Sequence, residues 1–465
     1  MKELETTLSS KGKANNYYVY LISFVAATGG FLFGYDLSII SGALIFLEGH
    51  FELDAVAKGT AVSSAILGSI AGPLFGMWLS DALGRRATLA IASVCFLISA
   101  IGTAMPQSLL IFNIWRAVGG IGVGLAAMTS PMYIAEIAPP HLRGRLVTVN
   151  QLAIVIGINA AVIASYSLSF GGHWRWMFAS EVIPILLLMI GLFFIPRSPR
   201  WLIAKGKTLE ALKVMTKING ELQAKKECQD IASELGSETG SFKELFSPNL
   251  RKALFIGIII MIYSQVNGVN MMLIYGPTIL VEANIGDASQ AIFFTIFINI
   301  TILISTIIAF WLVKIYGRVQ ILIVGVSGMA LGHLIMASVF FLGGSPFLNL
   351  AAMLIAAGSF TLSLAPLSWI IVSEIFPNKI RGKAVSLVCI ILYLSSFFCT
   401  QFFPMITDYF ETTMNHPGGA YLIFGSICIS CVIFCWRVLP ETKDIPLEKI
   451  GEFWGNQKHK IKEQL

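Results

Sequence analysis

Long apolar runs, separated by short polar stretches, recur along the whole chain. A helix of about 20 apolar residues crosses the hydrocarbon core of a bilayer. Read on that basis, the pattern predicts twelve spanning helices, at 18–44, 57–80, 88–105, 108–138, 146–170, 176–196, 253–281, 288–313, 319–343, 348–376, 384–407 and 419–438. Between the sixth and seventh lies a polar stretch, 198–249, rich in Lys and Glu. Within it, TLEALKVMTKI (Thr208 to Ile218) has helical apolar spacing, with Leu209, Leu212 and Met215 expected on one face. That stretch therefore reads as short surface helices. The expected organisation is an N-terminal six-helix bundle with a short N-terminus (1–197), a helical linker (198–249), a C-terminal six-helix bundle (250–440) and a tail (441–465).

An internal repeat supports two halves. YIAEIAPPHLRGR from Tyr133 and IIVSEIFPNKIRGK from Ile370 share E-I-x-P-x-x-[LI]-R-G-[RK], which aligns Glu136 with Glu374 and Arg143 with Arg381. At similar offsets Gly84-Arg85 matches Gly317-Arg318, and GGFLFGYDLSIISGAL from Gly29 faces SQVNGVNMMLIYGPTI from Ser264. Two parallel six-helix halves with a site between them at mid-membrane depth is a transporter architecture.

Composition agrees: 56% of residues are hydrophobic and only 12% charged, where a soluble domain has about 25% charged. Mean hydropathy is +0.77. The net charge of +6 raises the question of an anionic partner. All but three of the 32 Lys and Arg fall on one face, however, if both termini are cytoplasmic; Lys58 and Arg175 lie in outer loops and Arg116 inside a span. The basic excess thus sets topology and gives no reason to expect nucleic acid. The seven cysteines lie mostly in apolar runs without metal-ligand spacing, and read as small buried hydrophobes. No metal or cofactor is expected. No removable signal peptide is read in MKELETTLSSKGKANNYY.

One carboxylate, Asp36, interrupts the first apolar run, and one guanidinium, Arg116, the fourth. A charge at the bilayer centre costs roughly 2.5–3.5 kcal/mol on insertion scales. Such charges pair or line water. Counting from the expected helix ends at 1.5 Å per residue puts both roughly 10–12 Å deep, as the only opposite charges expected there in the first half. An Asp36–Arg116 contact is the leading expectation. Contact with a guanidinium favours a charged carboxylate; breaking the contact in dry surroundings favours the protonated acid. Alternate making and breaking would load and release a proton. The glycine run RAVGGIGVG (Arg116 to Gly124) lacks the Lys-Ser/Thr of a phosphate loop and reads as close helix packing.

The motifs GGFLFGYD, GMWLSDALGRR (Gly76 to Arg86), R-x-x-G-G-x-G-x-G at Arg116, PMYIAEIAPPHLRGR, PRSPRWL (Pro196 to Leu202), VSEIFPNKIRGK and LPETK (Leu439 to Lys443) occur in this order. Together they make the chain resemble the sugar porter family of the major facilitator superfamily, from about Val25 to Glu448. The resemblance implies an all-α membrane protein of twelve transmembrane helices in two pseudo-symmetric bundles. It implies proton coupling at Asp36 and Arg116, and sugar contacts from Phe33, Gln151, Gln265, Asn270 and Trp369, with Ser264 and Tyr393 at neighbouring pocket positions. It implies a cytoplasmic latch of Asp81, Arg85, Glu136, Arg143, Arg318, Glu374 and Arg381. Amides that both donate and accept suit sugar hydroxyls, and aromatic faces suit sugar C–H faces.

Departures from the family pattern bear on the substrate. Ser264 stands where the first of two glutamines is usual, Ile274 where a tyrosine is common, and Leu392-Tyr393 where a polar–Trp pair is usual. A less polar second half of the pocket points to a deoxysugar, a methylated sugar or a less hydroxylated polyol rather than glucose. Arg197 replaces the glutamate of PESPR, and Lys314 an aspartate of the second-half latch motif. The expected function is proton-coupled symport of a monosaccharide or related polyol, by a monomer in a cell membrane. Facilitated uniport and transport of a non-sugar organic solute stay open as alternatives. A membrane sensor of this fold would carry a longer tail. An enzyme is not expected, since His173, His333 and His416 are scattered without a nucleophile or metal spacing nearby.

Overall fold

The computed structural model describes residues 16–235, 242–248, 250–377 and 380–443. Residues 1–15, in which no removable signal peptide is expected, and most of the expected tail lie outside the described residues. Among the described residues, twelve helices are long and apolar enough to cross a membrane: Tyr17–Phe51, Ala55–Leu83, Arg85–Ala104, Leu109–Ile137, His141–Ser169, Trp174–Phe194, Arg251–Ile274, Ala288–Ile315, Arg318–Leu342, Pro346–Ile375, Arg381–Met414 and Gly418–Arg437. They are called spans 1 to 12. The protein is an integral, multi-pass, all-α membrane protein with six spans on each side of the linker. Span 1 runs seven residues past its expected end at Leu44. Asp36 therefore lies fifteen residues before the helix terminus, on the order of 22 Å along the axis, farther from that terminus than the sequence estimate.

Several spans are interrupted, at prolines and at one left-handed glycine. A proline lacks an N–H and its ring crowds the carbonyl four residues back. Pro184 disturbs Ser180, and span 6 is split into Trp174–Ala179 and Val182–Phe194. In the seventh, Gly268 takes a left-handed conformation (φ +85°) that ends Arg251–Val266, and Val269–Ile274 and Gly276–Glu282 follow. Asn267 seals that break: its side-chain amide donates to the Tyr263 and Ser264 carbonyls and its oxygen accepts from the Val269 N–H. The buried His333 ring lies 2.7 Å from the Asn267 carbonyl through Nε2, while its Nδ1 has no hydrogen-bond partner among the described residues. Pro277 frees the Leu273 carbonyl, and Pro404 the Thr400 carbonyl. The first accepts a hydrogen bond from Ser41 (3.1 Å), the second from the Tyr275 hydroxyl (2.9 Å).

The glycine run of span 4 does pack closely. A Cβ on Gly120 would stand 1.9 Å from the Ala65 carbonyl, and one on Gly124 2.3 Å from that of Ser69. Span 4 thus lies backbone to backbone on span 2, an approach only small residues permit.

The linker is helical at Pro199–Ala204, Thr208–Asn219 and Glu221–Leu235. Its small core joins Trp201, Leu202, Ala211, Met215, Ala224 and Cys228. The expected face is corrected here. Met215 is buried with Ala211 and Ile218, while Leu209 is 79% exposed. Trp201 docks the linker on the first half by donating from Nε1 to the Asp81 carbonyl, at 3.0 Å.

The two halves are zipped at the end of the bundle remote from the linker. Ser63 donates to Gln401 Oε1 (2.7 Å), and Gln401 Nε2 donates to the Val56 carbonyl (3.2 Å) and Thr60 Oγ1 (3.3 Å), joining spans 2 and 11. Asn159 donates to the Asn299 carbonyl (3.3 Å) and Ser169 to Ser289 (2.9 Å), joining spans 5 and 8. With the Ser41–Leu273 bond, these contacts close one face of the molecule.

Candidate functional site

The buried charges of the first half come together. Arg116 Nη1 donates to Asp36 Oδ1 at 2.9 Å and to the Asp36 main-chain carbonyl at 3.2 Å. Both side chains are 1% exposed. The geometry follows from the packing. A Cβ on Gly119 would meet Ser99 Oγ at 2.4 Å and Asp36 Oδ1 at 3.3 Å, so a glycine there lets span 4 approach spans 1 and 3. The ring of Phe178 in span 6 lies 5.8 Å from the guanidinium carbon, close enough for a cation–π contact.

A third charge was missed in the sequence. Glu181, also 1% exposed, sits at the break of span 6, close enough to repel Asp36 and attract Arg116. The depth estimate counted Asp36 and Arg116 as the only opposite charges. Two carboxyls in fact lie near one guanidinium, which bonds Asp36. The signal was present: Glu181 is the single charged residue in the run 176–196, and charge inside an apolar span is the same sign that picked out Asp36. Asp36 Oδ2, Glu181 Oε1, and Arg116 Nε and Nη2 are buried without a hydrogen-bond partner. The break is fastened to span 1 by a 2.7 Å hydrogen bond between Tyr35 and Ser180.

The polar residues of span 7 form a second group beside its break. Asn270 donates to Gln265 Oε1 (2.9 Å) and Gln265 donates to Ser264 Oγ (3.3 Å). Ser264 is buried, while Gln265 and Asn270 are half-buried. Gln151 and Trp369 are exposed, Trp369 at 47%, on the helix face opposite the packed Leu367 and Ile371. Phe33 and Tyr393 are half-buried, Phe33 against the core of the first half and Tyr393 against the larger core that spans both halves. No hydrogen bond described here joins Gln151 or Tyr393 to the span 7 group.

At the linker end, the motif acids pair inside each half. Arg85 bonds Asp81 (2.9 Å) and Glu136 (2.9 Å), and Ser198 also donates to Glu136. Arg318 bonds Glu374 (2.9 Å), to which Thr442 also donates (2.6 Å). Glu441 accepts from the Arg318 and Val319 N–H groups, closing the start of span 9. Arg143 is exposed, and Arg381 donates to the Phe376 carbonyl in its own half.

Comparison with known proteins matches residues 22–454 to the family model described as sugar (and other) transporter. The chain is 37% identical to the arabinose-proton symporter of Bacillus subtilis, over 94% of this chain and 95% of that one. Among solved structures, the inward-open xylose transporter XylE from E. coli superposes with a TM-score of 0.82, at 34% identity, over 94% of this chain and 100% of that chain. The proton:xylose symporter XylE bound to 6-bromo-6-deoxy-D-glucose superposes with a TM-score of 0.76, at 34% identity, over 95% and 100%. With seven ordered motifs, twelve spans in two halves and these matches over nearly the whole length, the chain belongs to the sugar porter family of the major facilitator superfamily.

Proposed function

We propose that this chain carries a monosaccharide or related polyol across a cell membrane together with a proton, by alternating access. The observation that carries the reading is the buried Asp36–Arg116 pair, with Glu181 beside it. A static buried ion pair is a poor source of stability, because desolvation offsets its attraction. A pair retained at membrane depth therefore calls for a dynamic use. Rocking of one bundle against the other would pull the guanidinium from one carboxyl, which then takes a proton where its free oxygen lies. Gln151, Gln265, Asn270 and Trp369, with Phe33, Ser264 and Tyr393, are the proposed sugar contacts. Gln265 and Asn270 bond each other in the structure, so sugar hydroxyls would replace that bond with two. Asp81, Arg85, Glu136, Arg143, Arg318, Glu374 and Arg381 are the proposed latch at the linker end. Both termini are cytoplasmic on this reading, as the positive-inside bias requires, and the working unit is a monomer. The less polar second half of the pocket favours a deoxysugar or a less hydroxylated polyol.

Uptake of labelled sugars into proteoliposomes, with and without an imposed proton gradient, tests the reading. Accumulation above equilibrium only with the gradient is expected. Equal uptake in both conditions would leave a facilitator.

A further inference from the structure

At the linker end, a cleft of about 300 Å³ opens between the start of span 3 and the end of span 6. Its polar rim holds Arg85, Arg86 and Arg197, and no acidic residue lines it. Arg85 is already taken up by two carboxylates, Asp81 and Glu136. Arg86 and Arg197 make no ion pair with a carboxylate among the described residues; Arg197 only faces the Trp201 ring, at 5.8 Å. Span 3 begins at the same place with no side-chain cap and no acid in its first turn, so the positive end of its dipole adds to the two guanidiniums. Beneath the rim the walls are apolar. Ala90, Val94, Met189 and Phe193 line the cleft, with Val94 43% and Phe193 77% exposed. These exposed side chains belong to apolar spans, so the surface they offer is a lipid surface.

We propose that this cleft is a binding site for an anionic phospholipid of the leaflet on the linker side. Its phosphate sits between Arg86 and Arg197 at the start of span 3, and one acyl chain runs along Val94 and Phe193. The site stands outside the sugar and proton pathway. It depends on Arg197, which replaces the glutamate of the family's PESPR motif. A glutamate there would pair with Arg86 or repel the phosphate, whereas a second guanidinium completes a fork for it. Basic clefts between spanning helices at that membrane face bind acidic head groups by this chemistry.

The test is native mass spectrometry of the full chain, delipidated and then given phosphatidylglycerol or phosphatidylcholine with the same acyl chains. The wild type is expected to retain phosphatidylglycerol preferentially. Arg86→Gln with Arg197→Gln should weaken that retention by about fivefold per arginine removed, as near-surface basic residues do. Ala90→Trp fills the apolar wall without touching charge and should lower retention too; it decides the matter if the double variant does not fold. Inorganic phosphate at millimolar concentration should not displace the lipid. Equal retention of both lipids by the wild type overturns the proposal, as does unchanged retention in the variants. Displacement by inorganic phosphate would leave a simple anion site and overturn the lipid assignment.

Discussion

Removing the Gln401 side chain should open the zipped face. Three hydrogen bonds from this one amide tie span 11 to span 2, with Ser63 (2.7 Å), the Val56 carbonyl (3.2 Å) and Thr60 (3.3 Å) as partners. Each such bond contributes about 1 kcal/mol net, since the partners bond water once the face opens. Gln401→Ala therefore destabilises the closed arrangement by about 3 kcal/mol, taking the three at that value. At 1.4 kcal/mol per decade this shifts the open-to-closed ratio by roughly a hundredfold. Spin labels at Gly49 and Thr413, both exposed on that face, report the separation by double electron–electron resonance. A Cβ on Gly49 meets nothing within 4 Å, so a label fits there. The wild type should give mainly the short distance and Gln401→Ala a large long-distance population. Gly59→Val should act the same way, because its Cβ would stand 2.3 Å from the Gln401 carbonyl. If Gln401→Ala changes the population ratio less than twofold in a folded protein, these bonds are not what holds the face shut.

Other outcomes follow from the same geometry. Asp36→Asn should abolish sugar accumulation driven by a pH gradient while sparing counterflow exchange; normal accumulation by this variant removes the proton role of the Arg116 pair. Just beyond the described apolar part of span 7, Glu282 lines a cleft of about 310 Å³ with Glu48, Asp54, Lys58, Asp408 and Glu411. Burial and the charge of Glu411 push its carboxyl up to about 7, against the pull of Lys58. An acid raised in the closed form binds a proton on closing, so acidification from pH 7.5 to 5.5 should favour closure and the effect should fade above about 7. Glu282→Gln should flatten that dependence in the same spin-label measurement. Gly120→Val places a Cβ 1.9 Å from the Ala65 carbonyl and should cost about 1–3 kcal/mol as overpacking does, seen as a lower melting temperature in detergent. In the linker, burial and the neighbouring Glu227 raise the Cys228 thiol, so its alkylation at pH 8 should lag that of a free thiol; matching rates would contradict its packing against Met215.

The sequence carried the spans and the Asp36–Arg116 contact because each rests on a one-body rule. Twenty apolar residues cross a bilayer, and a charge within them needs a partner. Glu181 obeys the same rule, as the single charged residue in the run 176–196. The exposed Leu209 is a different failure. Its helix offers two apolar stripes, and the partners Trp201 and Ala224 select the one through Ala211 and Met215. Helix breaks lie between these cases. Pro277 and Pro404 mark which carbonyls lose their partners, yet nothing local says that Ser41 and Tyr275 take them up, since those donors arrive from other spans. The latch motifs are the hardest case. The repeat places the same Glu and Arg in both halves, so the pattern fits pairing within a half and pairing across halves equally well. The structure has Glu136 on Arg85 and Glu374 on Arg318 while the remote face is zipped. A cross-half latch would have to form when that face opens, by exchanging one arginine for another at nearly constant charge. Such an exchange costs little in either direction, which is what a carrier that must adopt both states requires.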